Sequence, residues 1–173
     1  TTGFTGACGC FARALGSARH AANFNEIVVV ANSTNERQLL NLSGKTLTEY
    51  VDREEFFPWL DAHHADVEFI FHLGARTDTT ETNRDLLNIL NLEYSKQMWL
   101  ACCRYQLSLA YASSAATYGS ASLGFSDYYT MLPAQRHSHP LGGSITACHH
   151  WAVPHAGNAF SLVGPHLFRL FGP

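Results

Sequence analysis

Short apolar runs alternate with helical patterns along this chain. Residues 26–30 (EIVVV), 67–73 (VEFIFHL) and 107–112 (LSLAYA) have the nearly unbroken apolar character of buried parallel strands. Residues 160–168 contain a fourth run, interrupted by Gly164 and Pro165. Residues 1–5 read as a weaker strand, diluted by threonine and Gly3. Between the runs, residues 10–22 are rich in Ala, Leu and Arg. Asp52 is placed to cap a helix through Ala62, with Glu54 and Glu55 in a first turn that suits carboxylates. Pro58 should strain and shorten that helix. Residues 84–105 predict the longest helix, with Leu86, Leu87, Leu90 and Tyr94 at helical spacing. Residues 145–156 predict the last, limited by Pro154.

Strands alternating with helices predict βαβ units and an α/β fold with a mainly parallel sheet. Such sheets bind ligands outside the carboxyl ends of their strands. The stretch 120–144 reads as one long irregular segment, and a segment of that length is often functional.

Composition narrows the function. At 173 residues the chain suits one domain, spanning 1–173, and 46% hydrophobic residues supply its core. A net charge of −3, without a Lys/Arg-rich block, gives no case for nucleic acid. No apolar run approaches the ~18 residues of a membrane span, and the opening TTGFTGACG does not resemble a signal peptide. The five cysteines show no disulfide framework and no C-x2-C zinc spacing, which suits a reducing compartment. Ten histidines are many, and His137, His139, His149, His150 and His155 fall close together. None forms an assured ligand pair with an acidic partner, so a polar surface is the plainer reading and no metal site is assigned.

The first chemical motif is TGACGCFA, residues 5–12. Gly6 permits a tight turn between strand and helix. Gly9 lets the backbone approach a pyrophosphate seated on the helix N-terminus, and Ala12 stands where a third glycine is common. The carboxylate expected at the end of the second strand is missing: Ala31 occupies the place and Asn32 follows. That weakens the case for NAD and removes a charge that would repel a 2′-phosphate. The second motif is YASSAATYG, residues 111–119, where an apolar strand stops at Ser113 and Ser114. Either the hydroxyls merely end the strand or one faces a ligand.

Together these stretches resemble the extended short-chain dehydrogenase/reductase family, and within it the ADP-glyceromanno-heptose 6-epimerases. The resemblance is carried by TGACGCFA, EYVDREEF (49–56), FHLGARTDTTE (71–81), NLEYSKQMW (91–99), YASSAATYG and a final FGP (171–173). It implies a Rossmann-like, doubly wound sheet with helices on both faces, holding NADP or NAD. It also implies a nucleotide-sugar substrate, a cytoplasmic setting, and a homo-oligomer or larger assembly. Carried over by position, Cys10 and Phe11 would follow the pyrophosphate. Asn32 would lie near the adenosine ribose and Arg53 near the adenine end or a 2′-phosphate. Leu73, Gly74, Ala75, Arg76 and Thr77 would line the cofactor, with Asn91 supporting it from the long helix. Ser114 matches the catalytic serine that hydrogen-bonds the reacting sugar oxygen.

The chain then departs from the family. An acid/base tyrosine and, four residues on, a lysine that lowers its pKa are expected next. In HPLGGSITA (139–147) the register of Pro140, Gly142 and Ser144 puts Leu141 and Ile145 at those places. No lysine follows Lys96. Arg169 stands where the family has an asparagine that holds the substrate diphosphate. Family members also continue well past the position of Pro173, with the part that supplies most of the sugar pocket. Two expectations follow: the cofactor-binding part of an epimerase-type enzyme with its catalytic pair replaced, or a non-catalytic dinucleotide-binding or structural subunit from that family.

Overall fold

A computed structural model describes residues 2–5, 26–32, 48–76, 80–111, 140–155 and 162–163. They contain six strands: β1 (Thr2–Thr5), β2 (Ile27–Ala31), β3 (Glu49–Asp52), β4 (Phe69–His72), β5 (Ser108–Tyr111) and β6 (Leu162–Val163). All pair in parallel, in the order β3-β2-β1-β4-β5-β6. The chain steps outward from β1 to β2 and β3, then returns to lay β4 on the other side of β1. This is the strand order of a Rossmann-like sheet, and the reversal opens a crevice outside the carboxyl ends of β1 and β4.

Register decides which side chains share a face. Val28 and Ile70 flank Gly3, and Val30 and His72 flank Thr5. Leu109 lies beside Ile70, and Tyr111 beside His72. On this face Val28, Val30, Val51, Ile70, Leu109 and Tyr111 pack in one core with helical residues Phe56, Leu60, Met98, Trp99, Cys102 and Ala152. All five residues of β2 are buried. A strand with no exposed position has both faces covered, which is why its sequence reads as an unbroken apolar run.

The helices are α1 (Phe56–His63), α2 (Arg84–Leu87), α3 (Tyr94–Tyr105) and α4 (Pro140–His155). α1 begins later than the sequence predicts. Asp52 ends β3 instead of capping the helix, and its carboxylate accepts the Glu54 N–H at 2.8 Å, holding 53–55 in a turn. Pro58 is therefore in the first helical turn, where its missing N–H has no acceptor to lose. It does not break the helix, whose Phe56 and Leu60 are fully buried one turn apart.

The longest helical stretch is present as predicted but not uniform. The Asn83 side chain caps α2 by accepting the Leu86 N–H at 3.1 Å. A π-helical segment, Asn88–Glu93, then joins α2 to α3. Such widened turns are frequent at functional sites, and this one carries buried Asn91. α3 stops at Gln106, whose φ of 56° is left-handed and whose N–H reaches the Cys102 and Cys103 carbonyls. α4 starts earlier than expected. Pro140 occupies its first position, which suits proline. Residues 140–144, read from the sequence as part of an irregular stretch, are thus helical. Gly142 and Gly143 had disguised them.

Candidate functional site

The carboxyl ends of β2 and β3 form one side of the crevice. Ala31 is buried and neutral, and half-buried Asn32 follows it. The Arg53 N–H donates to the Ala31 carbonyl at 2.9 Å, which lays the turn after β3 against the end of β2. The Tyr94 hydroxyl, from α3, donates to the Arg53 carbonyl at 3.3 Å. Burial holds that phenol well above its ordinary range; the Asp52 charge adds to the shift and the Arg53 guanidinium opposes it. The guanidinium lies 3.8 Å from the Glu54 carboxylate, whose side chain is largely exposed, so screening leaves that pair weak.

The other side is the segment after β4. Leu73 and Gly74 are half-buried, and Ala75 and Arg76 exposed. Asn91 holds this segment by its backbone. Its Oδ1 accepts the Arg76 N–H at 2.7 Å, and its Nδ2 donates to the Arg76 carbonyl at 3.2 Å. The same Nδ2 donates to Ser144 Oγ at 3.1 Å, and that hydroxyl donates to the Leu141 carbonyl at 2.9 Å. One buried amide thereby joins the β4 segment, the π-helical turn and α4. The Arg76 guanidinium pairs with Glu81 at 2.9 Å.

Beneath this network, buried His72 places Nε2 2.8 Å from Ser95 Oγ. Burial lowers the His72 pKa to about 4, so the imidazole is neutral at pH 7. Ser95 also hydrogen-bonds Cys148. Burial raises the Cys148 thiol; the Ser95 hydrogen bond and the Lys96 ammonium oppose it. These three side chains line a small pocket with Gly74, Ala75, Asn91, Tyr111 and Ile145. Leu141 and Ile145 are 3% and 8% exposed and form an apolar cluster with Leu87. Neither can give or take a proton. Where the resemblance calls for a tyrosine and a lysine, α4 presents a greasy wall.

The structure thus brings Leu73, Gly74, Ala75, Arg76 and Asn91 together on one side of the crevice and places Asn32 and Arg53 on the other. Gly6, Gly9, Cys10, Phe11, Thr77 and Ser114 lie outside the described residues, as do His137, His139 and Arg169. Sequence reasoning missed His72, Ser95, Cys148 and Tyr94, and used Ser144 only to set register. The one signal for His72 was its place two residues after Ile70 on the inward face of β4. Among the described residues, no three potential metal ligands come together and no helix is long and apolar enough to cross a membrane.

The parallel sheet, with its order reversing at β1, defines a Rossmann-like α/β domain. No family model matches the chain. It is 31% identical over 177 aligned positions to the ADP-L-glycero-D-manno-heptose-6-epimerase of Nitratidesulfovibrio vulgaris (strain Hildenborough), an alignment that covers 98% of this chain and 53% of that protein. Against the enzyme of the same name from Fusobacterium nucleatum it is 28% identical, covering 98% of this chain and 52% of the relative. The chain is homologous to the N-terminal part of these epimerases and spans about half their length. Its fold matches the Helicobacter pylori ADP-L-glycero-D-manno-heptose-6-epimerase with a TM-score of 0.73 at 18% identity, over 94% of this chain and 53% of that one. It also matches the UDP-glucuronic acid 4-epimerase of Bacillus cereus, solved with NAD, with a TM-score of 0.70 at 18% identity, over 99% of this chain and 58% of that one.

Proposed function

We propose that residues 1–173 act as the nucleotide-binding domain of an epimerase-type protein, and that this chain does not itself carry out the epimerisation. The ligand would be NADP, or NAD. Support for the adenosine end comes from the neutral terminus of β2 and from Arg53 on the adjoining turn, a combination that accommodates a 2′-phosphate. The β4 segment, fixed through Asn91, would offer Leu73, Gly74, Ala75 and Arg76 to the cofactor. Gly6, Gly9, Cys10 and Phe11 would hold the pyrophosphate, and Thr77 would extend the cofactor wall.

In the epimerase reaction a nicotinamide removes a hydride from C6 of an ADP-heptose and returns it to the opposite face of the transient ketone. Ser114 would hydrogen-bond the reacting sugar oxygen. A proton must also move at that oxygen, and α4 offers Leu141 and Ile145 where a phenol and its lysine would be needed. This pair, buried against Leu87, is the observation that carries the proposal. Loss of an acid/base group removes about 10²–10⁴ in rate. The free Cys102, Cys103 and Cys148 thiols suit a cytoplasmic setting. A nucleotide-sugar partner and self-association belong to the same proposal.

Thermal unfolding with and without NADP⁺ and NAD⁺ tests the binding half. Ligand at ~100 times its Kd adds about 2.7 kcal/mol, roughly 5–10 °C for a domain of this size. No shift with either would leave a structural role. Incubation with ADP-heptose and NADP⁺ tests the other half: epimer formed by this chain would refute the loss of catalysis.

A further inference from the structure

We infer that this chain pairs with a second copy of itself along residues 84–105, the two helical stretches running antiparallel about a two-fold axis. The inference gives a surface to the self-association proposed above and rests on that reading.

Ile89 and Leu100 are the exposed large hydrophobic residues among those described, at 60% and 55% accessibility. Both lie on the helical stretch made by α2, the π-helical turn and α3. At intervals of three or four residues, the same face reads Asp85, Ile89, Glu93, Lys96, Leu100 and Arg104. All are exposed except Lys96, which is half-buried and pairs with Glu93 at 2.9 Å.

This row is symmetric in spacing and opposite in charge about its middle. Acidic, apolar, acidic from one end meets basic, apolar, basic from the other. A two-fold axis crossing the stretch midway between Glu93 and Lys96 sets Asp85 opposite Arg104 of the second copy. It also sets Ile89 opposite Leu100, and Glu93 opposite Lys96. A surface that binds its own copy about such an axis must complement its own image, and this one does. A parallel pairing in register would set each charge against its like, which is costly, so the charges select the antiparallel direction. The two apolar residues meet twice about the axis, and each contact removes hydrocarbon from water.

The test is sedimentation velocity of the whole chain across a concentration series. The expected result is a reversible dimer that Leu100→Glu abolishes. Asp85→Arg should raise the dimer Kd by about tenfold or more, because it sets two guanidinium groups against each other at both ends. Adding Arg104→Asp to Asp85→Arg restores opposite charges and should return the Kd to within about threefold of the parent. Arg104→Asp alone is the mirror variant and should weaken pairing as Asp85→Arg does, which serves if either single variant melts early. A dimer indifferent to Leu100→Glu and Asp85→Arg, or a double reversal that does not recover, overturns the inference and leaves self-association by another surface intact. A monomer at every concentration up to about 100 µM overturns the self-association reading, and the inference with it.

Discussion

Asn91 grips the backbone of Arg76 from both sides, accepting its N–H at 2.7 Å and donating to its carbonyl at 3.2 Å. A side-chain amide used this way bonds a backbone as a neighbouring strand would. Its position in a π-helical turn, buried, leaves no water to take over. Asn91→Ala removes these bonds and the one to Ser144, leaving buried partners unsatisfied. The expected loss is about 2–4 kcal/mol, or roughly 4–16 °C in Tm. Asn91→Asp should not rescue, because it keeps one acceptor and turns the other oxygen toward the Arg76 carbonyl. A melting curve for Asn91→Ala within about 1 °C of the parent would show that the clamp is dispensable.

His72 makes stability depend on pH on the acid side. Its pKa falls from 6.5 unfolded to about 4 folded because burial disfavours the charged ring. Between those values the unfolded chain holds a proton that the folded chain does not, so stability falls as pH drops from 6.5 toward 4. The contribution is full above the unfolded value and amounts to about 3 kcal/mol. Denaturant unfolding from about pH 7.5 to about pH 4.5 should show this decline, and His72→Gln should flatten it. An unchanged slope in the variant would assign the decline to other groups.

Cys102 acts on the alkaline side. Burial, with a smaller push from Cys103, raises its thiol pKa from 9.0 to about 12. Above pH 9.0 the unfolded chain loses this proton first, so stability is intact below that value and declines as pH rises toward 12. Cys102→Ala should reduce that decline while creating a small core void near Met98 and Trp99. The same burial makes the Cys102 thiol slow toward a disulfide reagent in the native state. Mass-mapped labelling at about pH 8 should reach Cys103, which is partly exposed, well before Cys102. Equal rates would mean that α3 opens readily.

Gln106 closes α3 in a left-handed conformation that a β-carbon disfavours by about 1–2 kcal/mol. Its N–H bonds to the Cys102 and Cys103 carbonyls need only backbone. Gln106→Gly should therefore stabilise the chain by about 1 kcal/mol, less the added freedom of the unfolded state. A lower Tm for the glycine variant would show that the glutamine side chain makes an interaction worth more than the strain.

The parts of this fold that could be read from sequence are those where a single element has a single environment. β2 is buried at every position, so its residues are apolar at every position. β3 was missed because it is an edge strand and only Val51 is buried, which leaves EYVD without a pattern. The start of α4 was missed because Gly142 and Gly143 carry no helical signal, although Pro140 is well placed to begin a helix. Asn91 was singled out through resemblance to known enzymes, but its π-helical setting is a matter of hydrogen-bond spacing that residue types do not announce. The bond between His72 and Ser95 spans 23 positions and two elements. Only the register of β4 and the packing of α3 against the sheet create it.

The apolar wall of α4 can be tested without any ligand. Ile145 is 8% exposed and touches a cluster made by Leu87 and Leu141. Ile145→Lys restores the residue type that the epimerase resemblance expects at this place. In a site still shaped for it, the ammonium would reach polar groups and the change would be nearly neutral. In the site described here it meets Leu87 and Leu141, and the polar groups nearby are bound to one another. A buried ammonium without a partner either loses its proton or drives the helix outward, at a cost of about 3 kcal/mol or more. Ile145→Val, which removes one methylene and no apolar character, should cost only about 1 kcal/mol. Chemical denaturation of both variants separates the cases. A loss several times larger for lysine than for valine means that the wall has become core, whereas similar small losses mean that a lysine-shaped opening persists beside Asn91.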